Sequence, residues 1–222
     1  MTVSLPPGVV LIPGKKPQIG TISLILGQTQ FDEVILKKPS GNIRVFDPTR
    51  SKLAAAITKG AGDVGIHAKD VVLYLGASHG YTTSFVSDMV GVQGFVFAID
   101  IAPRVVRDLV FVAKERPNIA PILADCAHPE SYCHRVSEVD WIFQDIAQKD
   151  QAGIFVKNIT WFLKDKGMAC LAVKARSVDV SKSPQAIYAK VRQELEKHVE
   201  IVNFLELDPL QKDHGFFIIK KV

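Results

Sequence analysis

Two hydrophobic rhythms divide the 222-residue chain. Up to residue 48, short apolar runs at Val9–Ile12, Ile19–Leu26, Glu33–Leu36 and Ile43–Phe46 are cut by Pro13-Gly14, Gly27-Gln28 and Pro39-Ser40-Gly41-Asn42. Short strands broken by such turn residues read as antiparallel ribbons, so residues 1–48 are expected to form a small antiparallel β domain, closed by Asp47-Pro48. Arg50 to Lys59, with Leu53, Ala54, Ala55, Ala56 and Ile57, predicts a short helix, and Gly60 to Gly65 a linker. Residues 49–70 thus form a connection into a larger unit over 71–222.

In that larger unit, continuous apolar runs alternate with segments that are apolar every third or fourth residue. Val71–Leu75, Phe95–Ile99, Ile119–Leu123, Val139–Phe143 and Met168–Val173 read as buried strands. Tyr81–Met89, a helix begun by Pro103, a helix carrying Phe155 to Leu163 and ending at Gly167, and one opened by Ser183-Pro184 lie after or between them. The last two runs, Val199–Leu207 and Gly215–Val222, are separated by only Asp208 to His214, too short for a crossover helix. They are expected to pair as an antiparallel hairpin. Five parallel strands closed by such a hairpin make an α/β fold that looks like the Rossmann-like, class I sheet of S-adenosylmethionine-dependent methyltransferases.

Composition narrows the class without naming a chemistry. A hydrophobic fraction of 47% supports a full core, and no apolar run approaches the roughly 18 residues of a membrane helix. With no targeting segment legible, a cytoplasmic location and no membrane partner are expected. Net charge is +4, unevenly placed: residues 1–60 hold eight Lys/Arg against three Asp/Glu (+5), and the rest nineteen against twenty (−1). That asymmetry suits an anionic partner meeting one side of the molecule. The three cysteines are too few and too scattered for a disulfide framework. Cys126, His128, Cys133 and His134 cluster without a CxxC pair, so no metal is expected.

The chemistry-bearing residues gather where strands end. In an open α/β sheet the ligand sits outside the carboxyl ends of the strands. Those positions hold Gly76-Ala77-Ser78-His79-Gly80, Asp100, Asp125, Asp145 and Lys174. A strand, glycine turn, helix, strand and acid in succession fit a nucleoside: the turn admits the ligand close to backbone, and Asp100 takes the ribose hydroxyls. The turn lacks the third glycine of the dinucleotide fingerprint, so a phosphate-free adenosine cofactor is favoured, with Asp125 facing its amine. Asp145, Lys174 and His214 fall on neighbouring strand ends or loops, with Lys52 on the entering helix. A lysine beside a carboxylate in a cleft orients a hydroxyl or removes its proton.

Leu73-Tyr74-Leu75-Gly76-Ala77, Val86-Ser87-Asp88-Met89-Val90-Gly91, Pro103-Arg104, Asp145-Ile146-Ala147-Gln148, Ala172-Val173-Lys174-Ala175-Arg176-Ser177 and Lys212-Asp213-His214 together closely resemble fibrillarin, as does Arg50-Ser51-Lys52-Leu53-Ala54-Ala55. The resemblance runs over essentially the whole chain, in the short archaeal-type form without a glycine/arginine-rich arm. It implies an S-adenosyl-L-methionine-dependent 2′-O-methyltransferase of ribosomal and transfer RNA, guided by box C/D RNA. It also implies a Nop5/Nop56/Nop58-type scaffold protein and, indirectly, an L7Ae-type kink-turn protein as partners. The family's catalytic set falls on Lys52, Asp145, Lys174 and His214. Its cofactor contacts fall on Gly76, Ala77, Thr82, Thr83, Asp100, Ile101, Asp125, Cys126, Asp145 and Gln148. His79 and Tyr81 enlarge the turn relative to the family's usual Ala-Ala-Ser-Gly-Thr-Thr, Asp100 replaces the commoner glutamate, and Ile101-Ala102-Pro103-Arg104 replaces a Phe-Ser-containing version.

Two other classes fit parts of the pattern. Gly76-Ala77-Ser78-His79-Gly80 matches the G-x-S-x-G elbow of serine hydrolases, with Asp145 and His214 following in a permitted order. That elbow normally follows several strands of its sheet, whereas here it opens the sheet and leaves Asp100, Asp125 and Lys174 idle. A non-catalytic assembly subunit with a vestigial cofactor site is the other, against which the intact Lys52, Asp145, Lys174 and His214 stand.

Overall fold

A computed structural model describes residues 5–25, 31–39 and 41–222. The described residues form two sheets. The smaller is four-stranded and antiparallel, built from β1 (Val9–Ile12), β2 (Gln18–Ile22), β3 (Ile35–Leu36) and β4 (Ile43–Val45) in the order β1-β2-β4-β3. The expected run to Leu26 ends at Ile22; Leu26, the Gly27-Gln28 turn and Ser40 lie outside the described residues. Helix α1 (Lys52–Thr58) follows, its first turn capped by Ser51, whose hydroxyl accepts the Ala54 N–H at 3.3 Å.

The larger sheet contains β5 (Val71–Leu75), β6 (Phe95–Asp100), β7 (Ile119–Leu123), β8 (Val139–Gln144), β9 (Leu163–Lys174), β10 (Val199–Glu206) and β11 (His214–Lys221). Its order is β10-β11-β9-β8-β5-β6-β7, with β7, β6, β5, β8 and β9 parallel and β11 antiparallel to both β9 and β10. The five parallel strands and closing hairpin expected from the apolar rhythm are therefore present. Helices α2 (Tyr81–Val90), α3 (Pro103–Glu115), α4 (Gln151–Phe162) and α6 (Pro184–Leu195) cover it, with a short α5 (Ala175–Val178) after β9. One face packs against α1, α2 and α3 through Leu53, Phe85, Met89 and Leu109; the other packs against α4 and α6 through Phe155, Ile159, Ile187 and Leu195. Burial on both faces is why the parallel strands are almost uninterrupted apolar runs.

One boundary differs from expectation. The helix ends at Phe162, five residues before Gly167, and the chain is already extended from Leu163. Leu163 is buried and registers with Val139, Lys164 bonds Asp140 at 2.6 Å, and Lys166 adopts a left-handed φ of 62°. These tertiary contacts override the helical spacing of the local sequence.

The small sheet joins the large unit through buried charge. Asp88, on α2 with a fully buried side chain, accepts Thr21 Oγ1 at 2.8 Å, the Leu24 N–H at 3.0 Å, Arg44 Nη1 at 2.7 Å and Arg116 Nη1 at 2.6 Å. Arg44 also donates to Glu33 and to Ser84, and its guanidinium lies 4.0 Å over the Phe85 ring, which stacks on Phe46. Residues from β2, β4, α2 and the end of α3 are thus locked together behind the glycine turn.

Candidate active site

The sheet reverses direction between β5 and β8: the chain proceeds from β5 outward to β6 and β7, then returns to β8 and β9 on the other side. A crevice opens at such a point outside the carboxyl ends of the strands. Gly76 follows β5 and Asp145 follows β8, and the Asp145 N–H bonds the Leu75 carbonyl at 2.9 Å. Gly76 has φ +83°, and a Cβ there would run into the Asp145 carbonyl oxygen. Only glycine permits this approach of the two strand ends.

Two clefts meet at Gly76, Ser78 and Asp145. The first, about 390 Å³, is bounded further by Asp100, Ile101, Asp125, Cys126 and Gln148. Both carboxylate oxygens of Asp100 are held by backbone, one by the Ser78 N–H at 2.8 Å and one by the Ala102 N–H at 3.0 Å. Burial disfavours ionisation of Asp125, but the Ala127 N–H at 2.9 Å, Gln148 Nε2 at 3.0 Å and nearby His128 together more than offset it, so its carboxyl lies below the ordinary range. Burial pushes the Cys126 thiol up to about 12, with Asp100 and Asp125 adding to the effect, so it is an inert wall and no nucleophile. Among the described residues, three carboxylates and no cation line this cleft. Such a lining repels phosphate and suits a diol, an amine or a cation, which is the donor set of a sulfonium nucleoside.

The second cleft, about 370 Å³, is bounded by Phe31, Arg50, Lys52, Tyr74, Ala77, His79, Tyr81 and Thr82 as well as the shared three residues. Lys52 Nζ bonds Asp145 Oδ2 at 2.9 Å. Thr82 Oγ1 donates to the capping Ser51 hydroxyl at 3.0 Å, tying the start of α2 to the start of α1 beside Lys52. Burial, with the charges of Asp145 and Asp100, holds the Tyr74 phenol well above its ordinary value.

Behind Asp145 the strand order β8-β9-β11 brings Lys174 and His214 to adjacent positions, paired across the β9–β11 ladder. The His214 imidazole is buried; its Nδ1–H donates to the Lys212 carbonyl at 2.7 Å, leaving Nε2 as an acceptor with no partner among the described residues. Burial lowers its pKa below 6.5; the Lys212 bond opposes this, and Lys52 and Lys174 reinforce it against Asp145. The ring is neutral at physiological pH, in the tautomer with an open Nε2 lone pair. Lys174 has no carboxylate within 4 Å among the described residues. Gln151, at the first position of α4, clasps its backbone: Oε1 accepts the Lys174 N–H at 3.0 Å and Nε2 donates to the Lys174 carbonyl at 3.3 Å. Gln144 Nε2 in turn donates to the Gln151 carbonyl at 2.7 Å.

Of the cofactor residues expected from the sequence, Gly76, Ala77, Thr82, Asp100, Ile101, Asp125, Cys126, Asp145 and Gln148 border one cleft or both. Thr83 borders neither: it is fully buried in α2. Thr83 points about 100° further round the helix than Thr82 and into the core, whereas Tyr81 and Thr82 both reach the cleft. Gln151 escaped sequence reasoning because its role is to hold backbone that becomes adjacent only in the fold. Cys133 Sγ turns to the Glu130 carbonyl and His128 to the Glu130 carboxylate, and among the described residues no group of three or more metal-ligating side chains is assembled. Ser78 does not bond His214, so the strand–turn–helix elbow lacks the serine–histidine contact of a hydrolase.

Comparison with known proteins agrees with this geometry. The fibrillarin family model matches residues 6–222. A relative from Thermococcus gammatolerans, named fibrillarin-like rRNA/tRNA 2′-O-methyltransferase, is 43% identical over 204 residues, covering 92% of this chain and 90% of the relative. The structure of Aeropyrum pernix fibrillarin, in complex with natively bound S-adenosyl-L-methionine, superposes with a TM-score of 0.89 at 37% identity, covering 99% of this chain and 98% of that one. The fibrillarin chain of a fibrillarin/Nop5p complex superposes equally well, TM-score 0.89 at 35% identity, covering 99% and 100%. With its seven-stranded sheet, glycine turn and acidic cleft, the chain belongs to the fibrillarin family.

Proposed function

We propose that this chain transfers a methyl group from S-adenosyl-L-methionine to a ribose 2′-hydroxyl of ribosomal or transfer RNA. The observation that supports the reading is a cleft whose charged groups, among the described residues, are all carboxylates, which shares Asp145 with the cleft of Lys52, while Lys174 and His214 pair at the ends of the adjoining strands. The names of the relatives point the same way.

In this reading Asp100 would accept the ribose hydroxyls of the cofactor, Asp125 and Gln148 would hold its base between Ile101 and Cys126, and Gly76, Ala77 and Thr82 would hold its amino-acid end. The chemistry supplied at the site is a sulfonium methyl, whose transfer releases one proton and a neutral thioether. Lys174 orients the attacking oxygen and assists removal of its proton, held in place by the clasp of Gln151. Asp145 holds the hydroxyl while Lys52 fixes the carboxylate. The neutral His214 offers its Nε2 lone pair to the proton set free. General acid–base help of this kind is worth about 10²–10⁴-fold.

Target choice falls to partners. The near-neutral body of the chain lacks the dense basic surface of an independent sequence reader. A Nop5-type scaffold is supported by the fibrillarin/Nop5p likeness. Box C/D guide RNA, and an L7Ae-type kink-turn protein bound to it, complete the particle by family analogy. Among the described residues no helix is long and apolar enough to cross a membrane, and the cytoplasm is the compartment proposed.

The test is transfer of tritiated methyl from labelled S-adenosyl-L-methionine in a complex reconstituted with guide RNA. Label is expected at one guided nucleotide, and none when that nucleotide is 2′-deoxy. Label retained on the 2′-deoxy target would overturn the reading, as would robust site-specific labelling by the chain without guide.

A further inference from the structure

The second cleft holds a cation that the transfer chemistry leaves unused. Arg50 is exposed, yet its guanidinium is fixed: it lies 4.1 Å over the Tyr81 ring, and Nη1 donates to the Phe31 carbonyl at 2.8 Å. Tyr81 is itself fixed, its hydroxyl accepting the Asp47 N–H at 3.3 Å and its ring edge-on to Phe31 at 5.6 Å. Among the described residues no carboxylate lies within 4 Å of Arg50, whereas neighbouring Lys52 is committed to Asp145. A guanidinium has five donors in a planar fork, and among the described residues one of them is used here. An exposed arginine ordinarily leaves its long side chain free. Here a ring and a carbonyl have already ordered it, so less entropy is lost when an anion arrives.

From this geometry we propose that Arg50, propped on Tyr81, clamps one phosphodiester of the target RNA strand beside the ribose being methylated. The inference rests on the RNA reading above and adds the contact that registers the strand. Three features select the ligand. The cleft of Arg50 shares Gly76, Ser78 and Asp145 with the nucleoside cleft, so whatever Arg50 holds lies next to the transfer centre. The free edge of a planar fork matches two oxygens of a phosphate. Phosphate contacts position a nucleic acid without reading its sequence, which suits a subunit whose target is chosen elsewhere. A carboxylate, such as that of the cofactor's amino-acid end, presents similar chemistry to the fork, and the experiment separates the two.

The reconstituted guide complex is assembled with wild type, Arg50→Ala or Arg50→Lys. Target-RNA affinity, cofactor affinity and single-turnover methyl transfer are then measured. Target RNAs carry a neutral methylphosphonate at one linkage at a time around the guided nucleotide. Arg50→Ala is expected to weaken RNA binding about tenfold, with the salt slope reduced by about one. Cofactor affinity should hold. One methylphosphonate linkage should weaken wild type by the same factor and the alanine variant not at all. Arg50→Lys should recover only a small part, because a point charge neither stacks on Tyr81 nor binds two oxygens.

Additive effects at every linkage, full rescue by lysine, or a loss confined to cofactor affinity would each overturn the clamp. Wild-type complex that binds RNA with this linkage coupling but transfers no methyl would instead refute the transferase reading. The two failures are therefore distinguishable.

Discussion

Asp88→Ala offers the most demanding test of how the small sheet is joined to the body. The Asp88 carboxylate is fully buried and accepts four hydrogen bonds, two of them from Arg44 and Arg116, whose side chains are 1% and 2% exposed. Burial already pushes the Arg116 guanidinium below its usual value, and Asp88 is the principal charge acting against that. Truncation leaves two desolvated cations short of a partner. Removing one member of a buried ion pair costs about 3–5 kcal/mol. For a chain of this size that corresponds to a Tm lower by roughly 6–20 °C. Thermal and urea unfolding followed by circular dichroism, with coincident probes to confirm one transition, reads it directly. Asp88→Asn keeps the shape and an acceptor but loses the charge, and should fall between the alanine variant and wild type. A loss under about 1 kcal/mol, typical of exposed pairs, would refute the picture of a dry ionic joint.

Other outcomes follow from single contacts. Gly76→Ala puts a Cβ into the Asp145 carbonyl at φ +83°; it should destabilise by about 1–3 kcal/mol and abolish calorimetric S-adenosyl-L-methionine binding. Gln151→Ala frees the backbone of Lys174, so kcat should drop about ten- to a hundredfold while cofactor affinity and KM for RNA hold. His214 has a pKa lowered from 6.5, so the unfolded chain binds its proton more readily. Its contribution to stability is complete above that unfolded value and declines as pH falls from there toward the folded pKa. His214→Gln should therefore flatten the fall in Tm between neutral and mildly acidic pH, and an unchanged slope would rule the titration out.

The sheet and its acid-tipped strands were legible because parallel strands buried on both faces leave unbroken apolar runs, and Asp100 and Asp145 mark where those runs stop. The glycine turn was equally plain, since Gly76 answers a backbone approach that other residues cannot make. Features settled by distant contacts were not legible. Thr83 and Tyr81 differ in the phase of one helix turn, fixed by how α2 packs on the sheet. The end of α4 at Phe162 depends on Lys164 meeting Asp140 and Leu163 meeting the core, not on the residues up to Gly167. Nothing along the sequence links Asp88, Arg44 and Arg116, which become a buried cluster only when residues 21, 44, 88 and 116 converge.

The proposed reading puts the chemistry on Lys174, which ends β9, the strand running between those that carry Asp145 and His214. Single-turnover methyl transfer by the reconstituted guide complex, comparing wild type with Lys174→Ala at saturating cofactor, addresses that placement most directly. The variant is expected to transfer methyl about 10²–10⁴-fold more slowly while binding S-adenosyl-L-methionine as wild type does. A variant that methylates its guided nucleotide at the wild-type rate would contradict it.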